Sequence, residues 1–200
     1  NFPKLKLNSP KNIINKFQFK NKENKEGWET FNVLSQEPAE CLGAYVISMT
    51  SSASDILSVS FLQKEAKIKN KLRVVPLFET LEDLINAKQI IENLFSQKWY
   101  RKLINYKQEV MIGYSDSSKD AGKMCANWHQ YKAQEEIVKL AKRYNIEIVF
   151  FHGRGGSAGR GGGPILATLR SLPPDSVNGK IRITDQGEVI QQKYGYEPLA

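Results

Sequence analysis

Five short apolar runs, each opening into a polar loop, constrain this 200-residue chain more than any other feature. Residues 43–49 lead into Thr50-Ser51-Ser52, residues 73–78 into Glu79-Thr80, and residues 110–114 into Ser115-Asp116-Ser117-Ser118-Lys119-Asp120. Residues 146–151 lead into His152-Gly153-Arg154, and residues 180–184 into Asp185-Gln186-Gly187-Glu188. Runs this short and this rich in Val, Ile, Phe and Tyr suit strands buried on both faces. Helical periodicity fills the intervals at 55–66, 80–95 and 121–144, and Thr80-x-x-Asp83 reads as an N-terminal capping signal. The repeat length, roughly 30 residues or slightly more, is that of a βα unit in a parallel α/β fold.

Functional-looking groups gather after nearly every apolar run rather than at one. An open doubly wound sheet collects ligands at a single switch point, whereas a (β/α) barrel presents all its βα loops on one rim. The expected fold is therefore a partial (β/α) TIM-type barrel, with catalytic loops at the C-terminal ends of the strands. A complete barrel takes about 250 residues, so five units read as a segment. The chain opens on Asn1 and stops at Ala200 just after Tyr194-Gly195, which also reads as a piece of something longer. Residues 1–40, rich in Lys and Asn, are expected to be a helical or loosely ordered lead-in, and residues 41–200 the catalytic core.

Composition narrows the classes. At 40% hydrophobic and 25% charged the chain is ordinary globular material. No run approaches the roughly 20 apolar residues of a membrane helix, and nothing resembles a secretory leader. Cys41 and Cys125 stand far apart, outside any CxxC spacing, and read as two reduced, buried thiols. The net charge of +8 gathers partly at the amino end, in Lys4, Lys6, Lys11, Lys16, Lys20, Lys22 and Lys25; it reads first as a solubilising surface and leaves anionic small molecules open as partners.

Glu79 and Asp116 each follow an apolar run directly, so both carboxylates should project over one rim. Two hard oxygen ligands without His or Cys suit Mg²⁺ or Mn²⁺. Read singly, either acid is also an ordinary helix-start residue. The second element is the loop His152-Gly153-Arg154-Gly155-Gly156-Ser157-Ala158-Gly159-Arg160-Gly161-Gly162-Gly163-Pro164. Its glycines permit close backbone approach, and its arginines offer planar forks to phosphate or carboxylate oxygens. It is neither a Walker loop nor a Rossmann fingerprint, and a loop so rich in glycine is expected to close around an anion. Lys119 stands three residues beyond Asp116, and His152 beside Arg154, as further polar contacts; His129, within a helical pattern, reads as structural or exposed. With two histidines in all and no Ser-His-Asp or Cys-His arrangement, nucleophilic catalysis is not indicated.

These loops together resemble phosphoenolpyruvate carboxylase. The run from Val110 to Gly122 is similar to the family's lysine-bearing signature, and Pro76-Leu77-Phe78-Glu79-Thr80-Leu81 and the His152–Pro164 loop to two more of its motifs. Weaker likeness covers 44–49 and 186–190. The resemblance implies a cytoplasmic lyase that joins bicarbonate to phosphoenolpyruvate with Mg²⁺ or Mn²⁺, giving oxaloacetate and phosphate through carboxyphosphate and an enolate, and so replenishing the tricarboxylic acid cycle. It implies Glu79 and Asp116 as metal ligands, Arg154 and Arg160 as substrate-binding, and Lys119, Arg160 and His152 as catalytic. It further implies inhibition by a dicarboxylate (aspartate or malate) at Arg160, a homotetrameric parent, and no nucleic-acid or membrane partner. The family's catalytic histidine lies in a His-Pro-Thr motif that this sequence lacks, so these 200 residues alone are expected to be inactive. Two alternatives share the residues: a carboxylase-like binding or sensor protein without catalysis, and a basic RNA-binding protein using Arg154 and Arg160.

Overall fold

The computed structural model describes residues 22–154, 165–184, 190–191, 194–196 and 198. Arg160 and the rest of the loop at 155–164, most of the weaker motif at 186–190, and residues 1–21 of the expected lead-in lie outside the described residues. The chain divides into two compact units. Among described residues the first comprises 22–43 and 58–72, with α1 (Lys22–Leu34), a 3₁₀ turn (Ala39–Cys41) and the later part of α2 (Ala53–Glu65). Gln63 is buried there and closes the turn after α2, donating from Nε2 to Leu72 O (3.2 Å) while its Oε1 accepts from Leu72 N–H (2.7 Å).

The second unit carries a five-stranded sheet: β1 (Ala44–Ile47), β2 (Arg73–Phe78), β3 (Lys107–Gly113), β4 (Glu147–Gly153) and β5 (Arg182–Ile183). The strands lie in sequence order and every neighbouring pair is parallel. A doubly wound sheet would reverse its order at a switch point. Here the order runs on without reversal, and the unit is an α/β half-barrel sheet alternating with helices. All five expected strands form. β1 and β5 are less buried than the sequence suggests, with Val46 and Arg182 exposed, because each is an edge strand with one neighbour.

The remaining helices are α3 (Leu81–Phe95), α4 (Lys98–Leu103), α5 (Ser115–Ala121), α6 (Lys123–Tyr144) and α7 (Ile165–Ser171). Side chains alternate across each strand. Phe78, Val110, Ile112, Ile148 and Phe150 point to the helix layer, where they form one core with Leu84, Ile91, Leu94 and Phe95 of α3 and Ile137, Leu140 and Ala141 of α6. On the other sheet face Glu109 is buried, and its carboxylate accepts from Arg73 (3.2 Å) and Arg182 (2.6 Å). The Arg182 guanidinium also covers the Phe151 ring at 4.2 Å. No helix among the described residues is long and apolar enough to cross a membrane.

Two sequence expectations need correction. The helix expected over 121–144 forms as one element from Lys123, but the polar run before it, expected as a loop, is the separate short helix α5; Gly122 takes φ +74°, a conformation that ends α5 and starts α6. The thiols are free but not buried: Cys41 is exposed, since no packed layer covers the connection before β1, and Cys125 is half-buried.

The capping signal forms as read. Thr80 Oγ1 accepts from Asp83 N–H (3.1 Å), and Asp83 Oδ2 accepts from Thr80 N–H (3.0 Å) and Glu79 N–H (3.2 Å). Thr80→Ala should therefore cost about 1 kcal/mol in denaturant titration, whereas Thr80→Ser should retain most of the stability.

Candidate functional site

Register determines which loops meet. Phe78 pairs with Ile112, and Ile112 with His152, so β2, β3 and β4 end at one level. Glu79 leaves β2 opposite Gly113, where a Cβ would lie 2.6 Å from Glu79 Cβ and 3.0 Å from Glu79 Cα. Gly113 is thus the reason that Glu79 can lean over β3. Asp83 holds the Glu79 amide from below, and Asp120 accepts from Leu81 N–H (3.0 Å), tying α5 to the start of α3.

Glu79 and Asp116 lie close enough for the charge of Asp116 to act on the Glu79 carboxyl. Burial pushes the Glu79 carboxyl up; the Met49 backbone N–H opposes this, and the nearby charges of Asp116 and Asp83 add to it. The ends of β1, β2 and β3 therefore converge on one carboxylate. Lys119 is also drawn in: its ammonium lies 2.8 Å from Asp116 Oδ1, one turn along α5, and remains well exposed. Among the described residues no cluster of three or more His, Cys, Asp or Glu side chains assembles.

Arg154 and His152 occupy a neighbouring position at the end of β4. The Arg154 guanidinium lies 5.4 Å from the Tyr114 ring centroid, and its Nη1 donates to Thr168 Oγ1. It lines a cavity of about 240 Å³ together with Lys123, Thr168, Ser171 and Gln134, whose Oε1 is buried without a partner among the described residues. Two cations and four hydroxyls, with no carboxylate, line the space, which favours an anion. Beneath it Gln130 donates to Gly113 O (3.1 Å) and Ser117 Oγ (2.6 Å), and Ser117 donates to Gly113 O (3.0 Å), so the β3–α5 turn is pinned from inside.

His152 is fully buried rather than open to a ligand. Its Nδ1 shares a hydrogen bond with Tyr114 Oη (2.9 Å), and Nε2 has no partner among the described residues. Burial, with a smaller contribution from Arg154, lowers its pKa to about 4, while burial raises Tyr114 to about 12. Both rings are neutral near pH 7. His129, on α6, bonds at Nδ1 with Cys125 O (2.9 Å) and joins neither group of residues.

Sequence reasoning did not single out Tyr114, Lys123, Gln130 or Thr168. Tyr114 carried a signal, as a large polar-tipped residue closing an apolar run, but its partners come from 38 residues downstream. Thr168 and Lys123 look like ordinary helix residues until α6 and α7 are placed.

Fold and site together define a class: a parallel α/β half-barrel with paired acids and a cation-lined cavity at the carboxyl ends of its strands. The phosphoenolpyruvate carboxylase family model matches residues 4–200. The chain is 58% identical over 167 residues to phosphoenolpyruvate carboxylase 3 of Arabidopsis thaliana, covering 84% of this chain and 17% of that protein. It is 56% identical over 180 residues to phosphoenolpyruvate carboxylase of Flaveria pringlei, covering 90% and 19%. Phosphoenolpyruvate carboxylase of Nicotiana tabacum is 53% identical over 171 residues, covering 86% and 18%. The chain belongs to the phosphoenolpyruvate carboxylase family, and it spans less than a fifth of the length of these relatives.

Two titrations test the electrostatics. Glu79 should titrate above its ordinary 4.5 in carboxyl carbon NMR, and Asp116→Asn should bring it only partway back, since burial remains. Because its folded value is raised, Glu79 should reduce stability as pH rises through that window. His152 works in the opposite sense. The unfolded ring takes up a proton near 6.5 and the folded ring only near 4, so its contribution to stability is lost as pH falls between those values. The full effect is about 3 kcal/mol, measurable by comparing the pH dependence of stability with that of His152→Gln.

Proposed function

We propose that this chain is the metal- and phosphate-binding segment of a phosphoenolpyruvate carboxylase, a carbon–carbon lyase that forms oxaloacetate and phosphate from phosphoenolpyruvate and bicarbonate. The observation that carries this reading is the meeting of Glu79 and Asp116 over Gly113. Two adjacent carboxylates, one of them raised in pKa, are relieved by a divalent cation, and their oxygens suit Mg²⁺ or Mn²⁺. Such ions commonly take one or two protein carboxylates and complete their shell with water and substrate oxygens, so a third protein ligand is not required. When bound, the ion would polarise phosphoryl and enolate oxygens.

The chain's own groups would do the rest. Arg154, carried on Tyr114 and Thr168, offers a planar fork to the phosphoryl oxygens. Lys119 now neutralises Asp116; a cation there would release its ammonium towards the same anion. Arg160 would stabilise carboxyphosphate and CO₂ transfer. The buried, neutral His152 supports the site from beneath. The half-barrel is read as part of a TIM-type barrel that further strands complete. Tetrameric assembly, inhibition by aspartate or malate at Arg160, a cytoplasmic location and supply of the tricarboxylic acid cycle belong to the same proposal. An RNA-binding role is less well supported, because Arg154 is half-buried against Tyr114 rather than displayed.

In a family-length protein carrying this segment, Glu79→Gln or Asp116→Asn should lower bicarbonate-dependent oxaloacetate formation by at least about 100-fold. Arg160→Ala should lose carboxylation while keeping part of the substrate binding. The 200 residues alone should form no oxaloacetate. Robust turnover by the isolated chain, or unimpaired variants, would show the chemistry to lie elsewhere.

A further inference from the structure

Tyr114 follows β3 directly as the N-cap of α5, the helix that carries Asp116, and is 8% exposed. Its two ends meet two different groups. The hydroxyl bonds with His152 Nδ1 at 2.9 Å, and the ring lies 5.4 Å beneath the Arg154 guanidinium. His152 cannot reach a ligand as it stands: it is 0% exposed, packed between Phe150 and Tyr114 with ring centroids 6.5 and 6.0 Å away. Whatever His152 contributes passes through the residues it holds.

We propose that Tyr114 is a positioning residue for the anion-binding arginine, with its hydroxyl held by His152 and its ring face carrying the Arg154 guanidinium. The proposal rests on the reading of Arg154 as a phosphate ligand. An arginine at the edge of a glycine-rich loop samples many rotamers, and most of them do not face the anion. A cation over a ring face is held without spending any of the five guanidinium N–H donors. One of them, Nη1, donates to Thr168 Oγ1. The ring works as a platform only if it does not swing, and the hydroxyl-to-His152 bond fixes its far end. His152 in turn lies on β4 beside Ile112 and Ile183, so the platform is referenced to the sheet rather than to a loop.

The chain has two histidines, so the test is direct in the ¹⁵N-labelled 200-residue protein, with inorganic phosphate as the probe. In the wild type, Arg154 side-chain protons should show an upfield ring-current shift, and its Nε–H should be as ordered as the backbone. Arg170, an exposed arginine on α7, serves as the mobile reference. Tyr114→Leu should reduce Arg154 order to that of Arg170 and weaken phosphate binding by about tenfold. Tyr114→Phe keeps the ring and should retain much of both, while the His152 Nδ1 resonance moves because its partner is gone. An Arg154 without a ring-current shift in the wild type overturns the proposal even if the leucine variant fails to fold. So does unchanged Arg154 order in a folded Tyr114→Leu. If phosphate binds neither protein but Arg154 order still depends on Tyr114, the positioning role stands and the phosphate reading falls. If phosphate binds both equally, the reverse holds.

Discussion

Phe78 pairs with Ile112 and Ile112 with His152, and from that parallel register the rest of the site follows. Three strands that end at one level deliver Glu79, Asp116 and Arg154 to one rim. A slip of one residue would turn each strand's side chains to the opposite face, moving Phe78, Ile112 and Phe150 out of the core. The packing that stabilises the sheet against α3 and α6 is therefore also what aligns the functional groups. Gly113 adds the local condition: register brings Glu79 opposite it, and the missing side chain lets the acid lean across.

Convergence has an electrostatic consequence. The exposed Asp116 repels the half-buried Glu79 carboxylate, and the chain answers with the Met49 amide and the Lys119 ammonium. Neither removes the repulsion, and Glu79 keeps a raised pKa. A group held in its less favourable charged form binds a cation with a gain that a fully solvated carboxylate lacks. On the far side of β3 the arrangement is inverted, with cations and hydroxyls lining a cavity beside Arg154. Opposite charge environments on neighbouring strands suit a substrate with a phosphoryl group between a metal and an arginine.

Much of this was legible in the sequence, and for stated reasons. Strand runs are continuous and apolar because their central residues are covered, and Thr80-x-x-Asp83 is a local signal that needs no tertiary context. Glu79 and Asp116 could be singled out as candidates because each lies just past an apolar run. Helix α5 was missed because Ser115–Asp120 is a polar run with no apolar periodicity, which reads as a loop. The exposure of Cys41 was missed because burial of a lone thiol depends on what covers it. Tyr114, Thr168 and Gln130 were not singled out as site residues, since their partners are 13 to 38 residues distant and meet only in the folded chain. The role of His152 changed most: a polar residue at a strand end looks like a ligand contact, whereas alternation along β4 turns it into the core.

The central claim is that register and Gly113 build one cation site from Glu79 and Asp116. A crystal structure of the chain soaked with Mn²⁺, read by anomalous scattering, tests it most directly. The account predicts one ion bridging the two carboxylates, with metal–oxygen distances of about 2.1 Å and Lys119 displaced from Asp116. Manganese bound elsewhere, with Glu79 and Asp116 turned to separate environments, would contradict it.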